Sequence, residues 1–238
     1  MCPDGSAATQ RANTGSWCSP RDEGEGMATS PLGPNDISLR DFIEAVGSAE
    51  APHGAVSTAG VVGALGSSLL LMVAALPQTR SDSVANRAKL VEAATALTRV
   101  QHELIETIET ETAVKLFAAR SLPQASDAQR TERLTAIQLA LHASADVPLE
   151  VMRLCAQGLE LAATIAAHGA RAASADIQLG VALLHAGFDG ARSSLEAKLS
   201  SFTDAAFVTS VADEIVRLIG EATASTRAAE SLLKALPA

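Results

Sequence analysis

The chain has 238 residues and a net charge of −9, and 47% of its residues are hydrophobic but only 3% aromatic. This length suits one domain, or one domain with a tail. The acidic balance argues against nucleic acid as a partner, because phosphate binding needs basic patches. It also gives no long-range attraction for an anionic ligand, so a site for such a ligand has to be locally neutral or basic.

The N-terminal segment, residues 1–35, is rich in Gly, Pro, Ser and charge and lacks hydrophobic periodicity. This composition predicts a disordered tail. It lacks the basic region and apolar core of a signal peptide, and Met27 is an alternative start. Cys2, Cys18 and Cys155 have no metal or redox spacing. We expect Cys155 to be a packed free thiol and predict a cytoplasmic protein.

From Ser38 onward the sequence predicts helices only, because no segment alternates as a strand does. Ser38 is the predicted N-cap of a short amphipathic helix, with Asp41 in the capping-box position. A Pro52-His53-Gly54 turn follows, in which we expect Gly54 to take a positive φ that other residues resist. The free N–H groups of the helix that begins there favour an anion or a polar ligand.

The run Ala55–Leu76 has no charged residue and is long enough to span a bilayer. It is, however, rich in small and hydroxyl residues, and no basic cluster flanks it. The other helices carry apolar faces that need a partner. We therefore predict a central buried helix, with a membrane-associated helical protein as the alternative. Gly60, Gly63 and Gly66 are expected to let another backbone approach closely.

Pro77 ends this helix, and a long helix is predicted from Ser81 or Asp82 towards Arg120, ending at Leu122-Pro123. Its apolar face consists of Leu90, Leu97, Leu104 and Ile108.

The second half of the chain is predicted to contain four more helices. Asp127 begins one that ends near His142, and Asp146 caps the next, with Pro148 in its first turn and Gly169 at its end. The apolar stripe of that second helix consists of Met152, Cys155, Leu159, Ala162 and Ala166. The last two helices are predicted at about 174–199 and 203–236, with Gly220 the place for a bend. The fold class is all-α, a bundle of six to eight helices, and a homodimer is our default.

Generic catalytic motifs are absent from the sequence, including phosphate loops, nucleophile elbows and zinc helices. The segment His102-Glu103-Leu104-Ile105-Glu106 comes close to a metal helix, but Glu106 stands where the second histidine is needed. We interpret it as a solvated helix face and predict no metal site.

The turn at Pro52 and the Gly/Ala-rich helix after it resemble the start of the cyclodeaminase/cyclohydrolase domain. That family includes the cyclodeaminase half of formiminotransferase-cyclodeaminase and the bacterial methenyltetrahydrofolate cyclohydrolases. Its members typically have a Pro-Gly-Gly-Gly-Ser turn at this place. This chain keeps the proline and the middle glycine, Gly54, and has His53, Ala55 and Val56 at the other positions.

The resemblance resumes further along the chain. Leu122-Pro123 is kept, and Glu109 falls where the family has an aspartate before it, although Ala113 replaces the family's phenylalanine. Asp146-Val147-Pro148-Leu149 is similar to the family's Val-Pro-Leu helix start. Ala175-Asp176-Ile177-Gln178 is similar to its Ser-Asp-Leu-Gln segment. The remaining matches are His168-Gly169, Gly190 and Asp204-Ala205-Ala206-Phe207.

Several departures fall together on positions that the family uses as polar contacts. Ser194 and Lys198 stand where it has two asparagines four residues apart. Arg80-Ser81 replaces a lysine-tyrosine pair.

The resemblance implies a folate one-carbon enzyme, either a methenyltetrahydrofolate cyclohydrolase or a formiminotetrahydrofolate cyclodeaminase. Its substrate would be a tetrahydrofolate derivative, and it implies no further cofactor. Both reactions need a positioned proton carrier and groups that complement charge leaving an iminium. The candidate catalytic residues are Asp176, Glu109 and His53, and the candidate substrate-binding residues are Pro52, Gly54, Arg80, Gln178, Ser194 and Lys198.

Five of these candidates also have a plainer interpretation. Asp176 is also explained as a carboxylate at the start of a helix, where it compensates the positive end of the helix dipole. Glu109 is also a surface carboxylate in an acidic run. His53 is a candidate to replace lost acid–base function because histidine titrates near neutrality, but it is also a turn residue that fills space beside the start of the helix. Arg80 and Lys198 either meet the glutamate tail of a folate or are surface charges. The alternative function is a non-catalytic paralogue that keeps the helical dimer and binds a ligand or a protein.

Overall fold

The computed structural model describes residues 38–48, 54–80, 83–108, 121–123 and 126–234. These ranges contain six α-helices and no strand, which confirms the all-α prediction. The helices are α1 (Leu39–Val46), α2 (Ala55–Ala75), α3 (Val84–Ile108), α4 (Asp127–His168), α5 (Ser174–Leu199) and α6 (Ala205–Lys234), with a 3₁₀ turn at Arg171–Ala173 before α5. The predicted tail, 1–35, lies outside the described residues.

Polar side chains begin the helices where the sequence indicates. The hydroxyl of Ser38 accepts the backbone N–H of Asp41 at 3.2 Å, so the predicted cap of α1 is confirmed. At the start of α4, Ser126 and Gln129 form a reciprocal capping box. The carboxylate of Asp204 accepts two backbone N–H groups of the first turn of α6. Each bond satisfies a donor that the helix itself leaves free.

Helix α4 is continuous over Asp127–His168, so the prediction of two helices meeting near Asp146 is wrong. Pro148 lies inside this helix, where it has no N–H to donate to the carbonyl of Ser144 four residues earlier. The ammonium of Lys198, on α5, donates to that carbonyl at 3.3 Å instead. The helix passes through the proline with this acceptor satisfied from a neighbouring helix.

Helices α2 and α5 run antiparallel and touch backbone to backbone. A Cβ added at Gly66 would lie 2.8 Å from the carbonyl oxygen of Gly180, and one at Gly187 would lie 2.8 Å from that of Ala59. Neither distance leaves room for a side chain, so this approach requires glycine. The predicted close backbone approach is confirmed at Gly66.

The core lies among α2, α3, α4 and α5, with α6 packed on α4. The predicted stripe of α4 is fully buried, and so are Leu90, Leu97 and Leu104 of α3. Cys155 is the packed free thiol that the sequence predicts. Burial raises the pKa of its thiol to about 12, which makes it unreactive at neutral pH.

Helix α2 is long and apolar enough to cross a bilayer, with a mean hydropathy of 1.9 in its most apolar window. Half of that window is buried against the other helices. Leu70 and Val73 have no exposed surface, whereas Leu65 and Met72 are 49% and 46% exposed on another side. One side of α2 therefore belongs to the core, and another leaves an apolar stripe at the surface.

The ends of two predicted helices fall outside the described residues. The predicted start of α3 at Ser81 or Asp82 and its continuation towards Arg120 are among them. Helix α6 runs through Gly220 without interruption. Its predicted extension to Leu236 lies beyond residue 234.

Candidate functional site

The register between α2 and α5 decides which candidate residues lie near one another. Ala59 lies against Gly190, and Gly66 against Gly180 and Leu184. Continuing this antiparallel register brings Gly54 level with residues 194–198, and the segment after α2 level with the start of α5. The candidates on α5 therefore fall into two groups at opposite ends of the helix, because Asp176 and Ser194 are about 27 Å apart at 1.5 Å per residue.

The first group, which we call the Arg80 end, comprises Arg80, His168, Arg171 and Asp176. The backbone N–H of Arg80 donates to the carbonyl of His168 at 3.0 Å. Its Nη2 donates to the carbonyl of Ala166 at 2.5 Å. These carbonyls belong to the last turn of α4, where no intrahelical donor remains. Arg80 is thus a cap of α4, a role that the sequence did not reveal.

The Arg80 end is locally basic in an acidic protein. Burial, and then the charge of Arg171, lowers the pKa of Arg80. Burial, followed by the charges of Lys89 and Arg80, lowers the pKa of His168. The Nε of Arg80 is buried and has no hydrogen-bond partner among the described residues. This concentration of positive charge meets the condition that the sequence sets for an anionic ligand.

Asp176 lies in the first turn of α5 and is half-buried. Among the described residues it forms no hydrogen bond and no ion pair. Its carboxylate therefore compensates the positive end of the helix dipole and remains available to a ligand. The two interpretations of this residue are both compatible with its position.

The second group, the Gly54 end, comprises Gly54, Ser144, Ser194 and Lys198. Gly54 is the N-cap of α2 with φ −104° and ψ −160°, so the predicted positive φ is wrong. An N-cap residue needs extended backbone, and any residue adopts that conformation. Among the described residues, no side-chain hydrogen bond caps the first turn of α2. Ser194 is half-buried, and the register of α2 and α5 places it near the level of Gly54.

Lys198 already has a partner within the protein. Its ammonium is bound to the carbonyl of Ser144, and burial lowers the pKa of its amine. A lysine at this position compensates Pro148, so its presence follows from the backbone of α4. Binding of substrate by Lys198 stays a prediction.

Gln178 lies apart from both groups. It is exposed and lines a groove of about 720 Å³ between α5 and α6. The same groove is lined by His185, whose Nδ1 is 3.1 Å from the carboxylate of Asp189. It is also lined by Thr226, whose hydroxyl is buried and has no partner among the residues that the structure describes. Gln178 is nearly half a helical turn from Asp176 around the axis of α5, so the two side chains leave the helix on different sides.

Three candidates, Pro52, His53 and Glu109, lie outside the described residues, and their roles stay predictions. In the part of the chain that the structure describes, no group of three or more His, Cys, Asp and Glu side chains is placed to hold a metal ion. His102, in the segment interpreted as a solvated face, is exposed.

An aromatic cluster near the Gly54 end was missed by the sequence analysis. The ring of His142 stacks on that of Phe207 with centroids 4.1 Å apart, and Phe202 lies 5.9 Å from His142. The Nε2 of His142 is buried and has no hydrogen-bond partner in the described part of the chain. The sequence shows the two phenylalanines within residues 202–207. It contains no spacing that would connect them to His142 on α4.

Comparison with known proteins gives a consistent result. A family model described as formiminotransferase-cyclodeaminase matches residues 38–217. The formimidoyltransferase-cyclodeaminase of Gallus gallus is 26% identical over 202 residues, which cover 84% of this chain but 36% of the chicken protein. The chain thus spans about a third of that relative. The methenyltetrahydrofolate cyclohydrolase of Methylorubrum extorquens is 27% identical over 189 residues, 78% of this chain and 90% of the bacterial one.

The fold is also similar to that of a solved structure. The formiminotetrahydrofolate cyclodeaminase of Thermotoga maritima superposes with a TM-score of 0.74 at 19% identity. The superposition covers 84% of this chain and 97% of the other. It extends the likeness of fold over nearly all of the described helices.

Proposed function

This chain belongs to the formiminotransferase-cyclodeaminase family, and from that premise we propose that it is a methenyltetrahydrofolate cyclohydrolase. The proposed reaction is the hydrolysis of 5,10-methenyltetrahydrofolate to 10-formyltetrahydrofolate. The observation that supports it most is the match over 90% of the length of a relative named for that activity. The cyclodeaminase reaction on formiminotetrahydrofolate is the next proposal within the same class.

The proposed reaction adds water to the electrophilic methenyl carbon and releases a proton. The tetrahedral adduct then opens by breaking one of its two C–N bonds. In the cyclodeaminase reaction the formimino group cyclises instead, and ammonia leaves. Both reactions need a proton carrier. We assign this role to Asp176, with Glu109 and His53 as further proposed acid–base groups. No metal and no cofactor beyond the folate itself is required by this chemistry.

The basic Arg80 end supports an anionic substrate. Arg80 has a buried Nε without a hydrogen-bond partner among the described residues, and Arg171 and Lys89 raise the local positive potential. A folate carries carboxylates in its glutamate tail, which arginine binds in a planar, bidentate way. We propose that the tail binds at this end. The turn at Pro52 and Gly54, together with Ser194, Lys198 and Gln178, remains the proposed set of further substrate contacts.

The proposal is tested by comparing Asp176→Asn with Asp213→Asn. Asp213 is exposed on α6 and serves as a matched control for loss of a surface carboxylate. Removing a proton carrier is expected to reduce kcat on methenyltetrahydrofolate by about 100-fold or more, and the control is expected to keep the wild-type rate. Equal rates for both variants would remove Asp176 from the reaction.

A non-catalytic paralogue is the second candidate function, and Lys198 is the observation that favours it. The family has asparagine there, whereas this lysine is engaged with Ser144 inside the protein. If the paralogue proposal is correct, neither folate substrate will turn over, whether or not calorimetry detects binding of a folate. Turnover by the wild-type protein would eliminate it. Restoring asparagine at positions 194 and 198 without gaining folate binding would support it.

We further propose that the protein is cytoplasmic and acts as a homodimer without nucleic-acid or membrane partners. Its acidic balance supports the absence of a nucleic-acid partner, since phosphate binding needs basic patches.

A further inference from the structure

The groove between α5 and α6, which we call the α5–α6 groove, has a volume of about 720 Å³. A volume of this size suits a small organic molecule. His185, which lines it, follows Asp176 by about two and a half helical turns and so lies on the opposite side of α5. Ser194 follows Asp176 by about five turns and lies on the same side as Asp176. The α5–α6 groove is therefore separate from both the Arg80 end and the Gly54 end.

Part of the α5–α6 groove is apolar and flat. Val181 on α5 and Leu233 on α6 line it and are only 4% and 6% exposed. Ala182 and Ala186 also line it and are exposed. They are four residues apart and thus lie on one face of α5. Because each projects only a methyl group, this face of the helix has room for a flat ring to lie against it.

The charged residues that line the groove have partners within the protein. The carboxylate of Asp189 is 3.1 Å from Nδ1 of His185 and 3.5 Å from Nη2 of Arg192. The carboxylate of Glu230 is 3.3 Å from the ammonium of Lys234. Among the described residues, no other charged side chain lines the groove. An uncharged ligand is therefore favoured, because a charged one would enter without a free counterion.

His185 has a hydrogen-bond acceptor available to a ligand. Because Nδ1 lies against the carboxylate of Asp189, the proton of the neutral imidazole belongs on Nδ1, and Nε2 keeps its lone pair. Within the described part of the chain, Nε2 forms no hydrogen bond. A ligand that donates an N–H group can therefore bind there.

Thr226 has a hydroxyl that the protein does not use. Helical threonines often donate to the carbonyl four residues earlier, as Thr98, Thr135 and Thr209 do at 2.9, 3.0 and 2.9 Å. The hydroxyl of Thr226 is buried and has no such partner among the described residues. A buried hydroxyl without a partner is unfavourable. A ligand that accepts its proton therefore gains affinity.

We propose that the α5–α6 groove binds a flat, uncharged ring that contains a lactam, in which an N–H group adjoins a carbonyl. The N–H group donates to Nε2 of His185, and the carbonyl accepts the hydroxyl of Thr226. The face of the ring lies against Ala182 and Ala186. Oxopurines and pterins both carry this lactam, so either is a source of the ligand. The proposal does not rest on the folate reaction, because the groove lies away from Asp176.

Calorimetry with inosine tests the ligand class. Inosine is an uncharged oxopurine nucleoside with an N–H group beside its carbonyl, and 1-methylinosine carries a methyl group in place of that hydrogen. We expect inosine to bind and 1-methylinosine to bind about tenfold more weakly, because the methyl group removes the donor to His185. Equal affinities of the two nucleosides would overturn the proposed recognition.

A parallel titration with 6-hydroxymethylpterin distinguishes the two sources. Tighter binding of inosine identifies an oxopurine as the ligand, and tighter binding of the pterin identifies a pterin. Either result supports the lactam, provided that the variants described next weaken it. Binding of neither probe at about 1 mM would overturn the proposal.

Variants of the lining residues locate the binding. Thr226→Val and His185→Phe each remove one hydrogen-bond partner and should weaken the binding of inosine or the pterin about tenfold. Thr98→Val and His102→Phe, at exposed positions on α3, are the matched controls and should keep the wild-type affinity. Ala182→Phe fills the groove and should abolish binding. Wild-type affinity in all of these variants would place the ligand elsewhere and overturn the proposal.

Thr226→Val also has a readout without any ligand. Valine removes the hydroxyl and keeps nearly the same shape, so the midpoint of thermal unfolding should rise if that hydroxyl is buried without a partner. A lower midpoint would show that the protein itself satisfies the hydroxyl, which would contradict the proposal.

Turnover of methenyltetrahydrofolate by Ala182→Phe separates this site from the folate site. We expect a variant that is folded by circular dichroism, does not bind inosine or the pterin, and keeps the wild-type turnover. Loss of turnover together with loss of binding would make the groove part of the folate site and overturn the proposal of a separate one. If the wild-type protein binds inosine or the pterin in the groove but turns over no folate, the proposed function fails and the groove proposal stands.

Discussion

Lys198 is the residue whose position in the structure changes its interpretation most. By resemblance, Lys198 stands where the family has an asparagine, and the sequence analysis predicts that it binds the substrate. The structure shows its ammonium on the carbonyl of Ser144, which Pro148 leaves without an N–H donor. The proline and the lysine are fifty residues apart, so no local pattern connects them. Their pairing explains why a helix of 42 residues tolerates an internal proline.

A double-mutant cycle measures this pairing. Lys198→Met leaves the carbonyl of Ser144 unsatisfied and should lower the free energy of unfolding by about 1–3 kcal/mol. In a Pro148→Ala background the helix supplies its own donor, so the same substitution should cost clearly less. Urea unfolding of the four proteins gives the coupling energy. An equal cost in both backgrounds would show that Lys198 does not compensate the proline.

His168 should make stability depend on pH. Burial, Lys89 and Arg80 lower the pKa of its folded imidazole below the unfolded value of 6.5. The unfolded chain therefore binds more protons as the pH falls below 6.5, and the folded state loses stability there. Above 6.5 the residue makes no such contribution.

The pH effect is checked by unfolding the wild type and His168→Gln at pH 7.5 and pH 5.5. The variant should lose less stability on acidification than the wild type. His102→Gln, at an exposed position on α3, is the matched control and should keep the wild-type slope. The account of the Arg80 end fails if His168→Gln keeps that slope too.

At the scale of elements, the contact of α2 with α5 depends on where glycines lie rather than on how many there are. Gly66 lies against backbone, with the carbonyl of Gly180 at 2.8 Å from its would-be Cβ. Gly220, inside α6, has nothing within 4 Å. The sequence predicts a close approach at Gly66, which is confirmed, and offers Gly220 as the place for a bend, whereas α6 runs through it without interruption.

These two glycines should respond to alanine in opposite directions. Gly66→Ala forces α2 and α5 apart and should destabilise the protein by about 1–3 kcal/mol. Gly220→Ala lowers the backbone entropy of the unfolded chain at a helix position that has room for a Cβ. It should therefore stabilise the protein by about 0.5–1 kcal/mol. Thermal and urea unfolding both report the difference. A neutral or stabilising Gly66→Ala would refute the close approach.

The all-α fold and the order of the helices were predictable from the sequence. The places where helices break were less predictable. Capping residues such as Ser38 and apolar stripes such as that of α4 act locally, so their consequences are readable from neighbouring residues. The break predicted near Asp146 failed because the donor that replaces the proline's N–H comes from α5. The positive φ predicted at Gly54 failed because the turn residue is also an N-cap.

At the scale of the whole molecule, the sequence proposes a set of candidate site residues but not their arrangement. Motif resemblance identifies Asp176 and Ser194 from short segments. Their separation of about 27 Å follows from a helix length and from the antiparallel packing of α2, which the segments do not contain. Likewise, the net charge of −9 does not reveal that Arg80, Arg171 and Lys89 concentrate positive charge at one end.

The most direct test of the central claim is turnover by the purified wild-type protein on two substrates in parallel. Methenyltetrahydrofolate is followed by the loss of its near-ultraviolet absorbance against buffer, and formiminotetrahydrofolate by the release of ammonia. We predict that the protein accelerates the first reaction and that Asp176→Ala abolishes the acceleration. Acceleration of the second reaction alone would make the protein a cyclodeaminase. A folded, dimeric protein that accelerates neither would contradict the claim that this is a folate one-carbon enzyme.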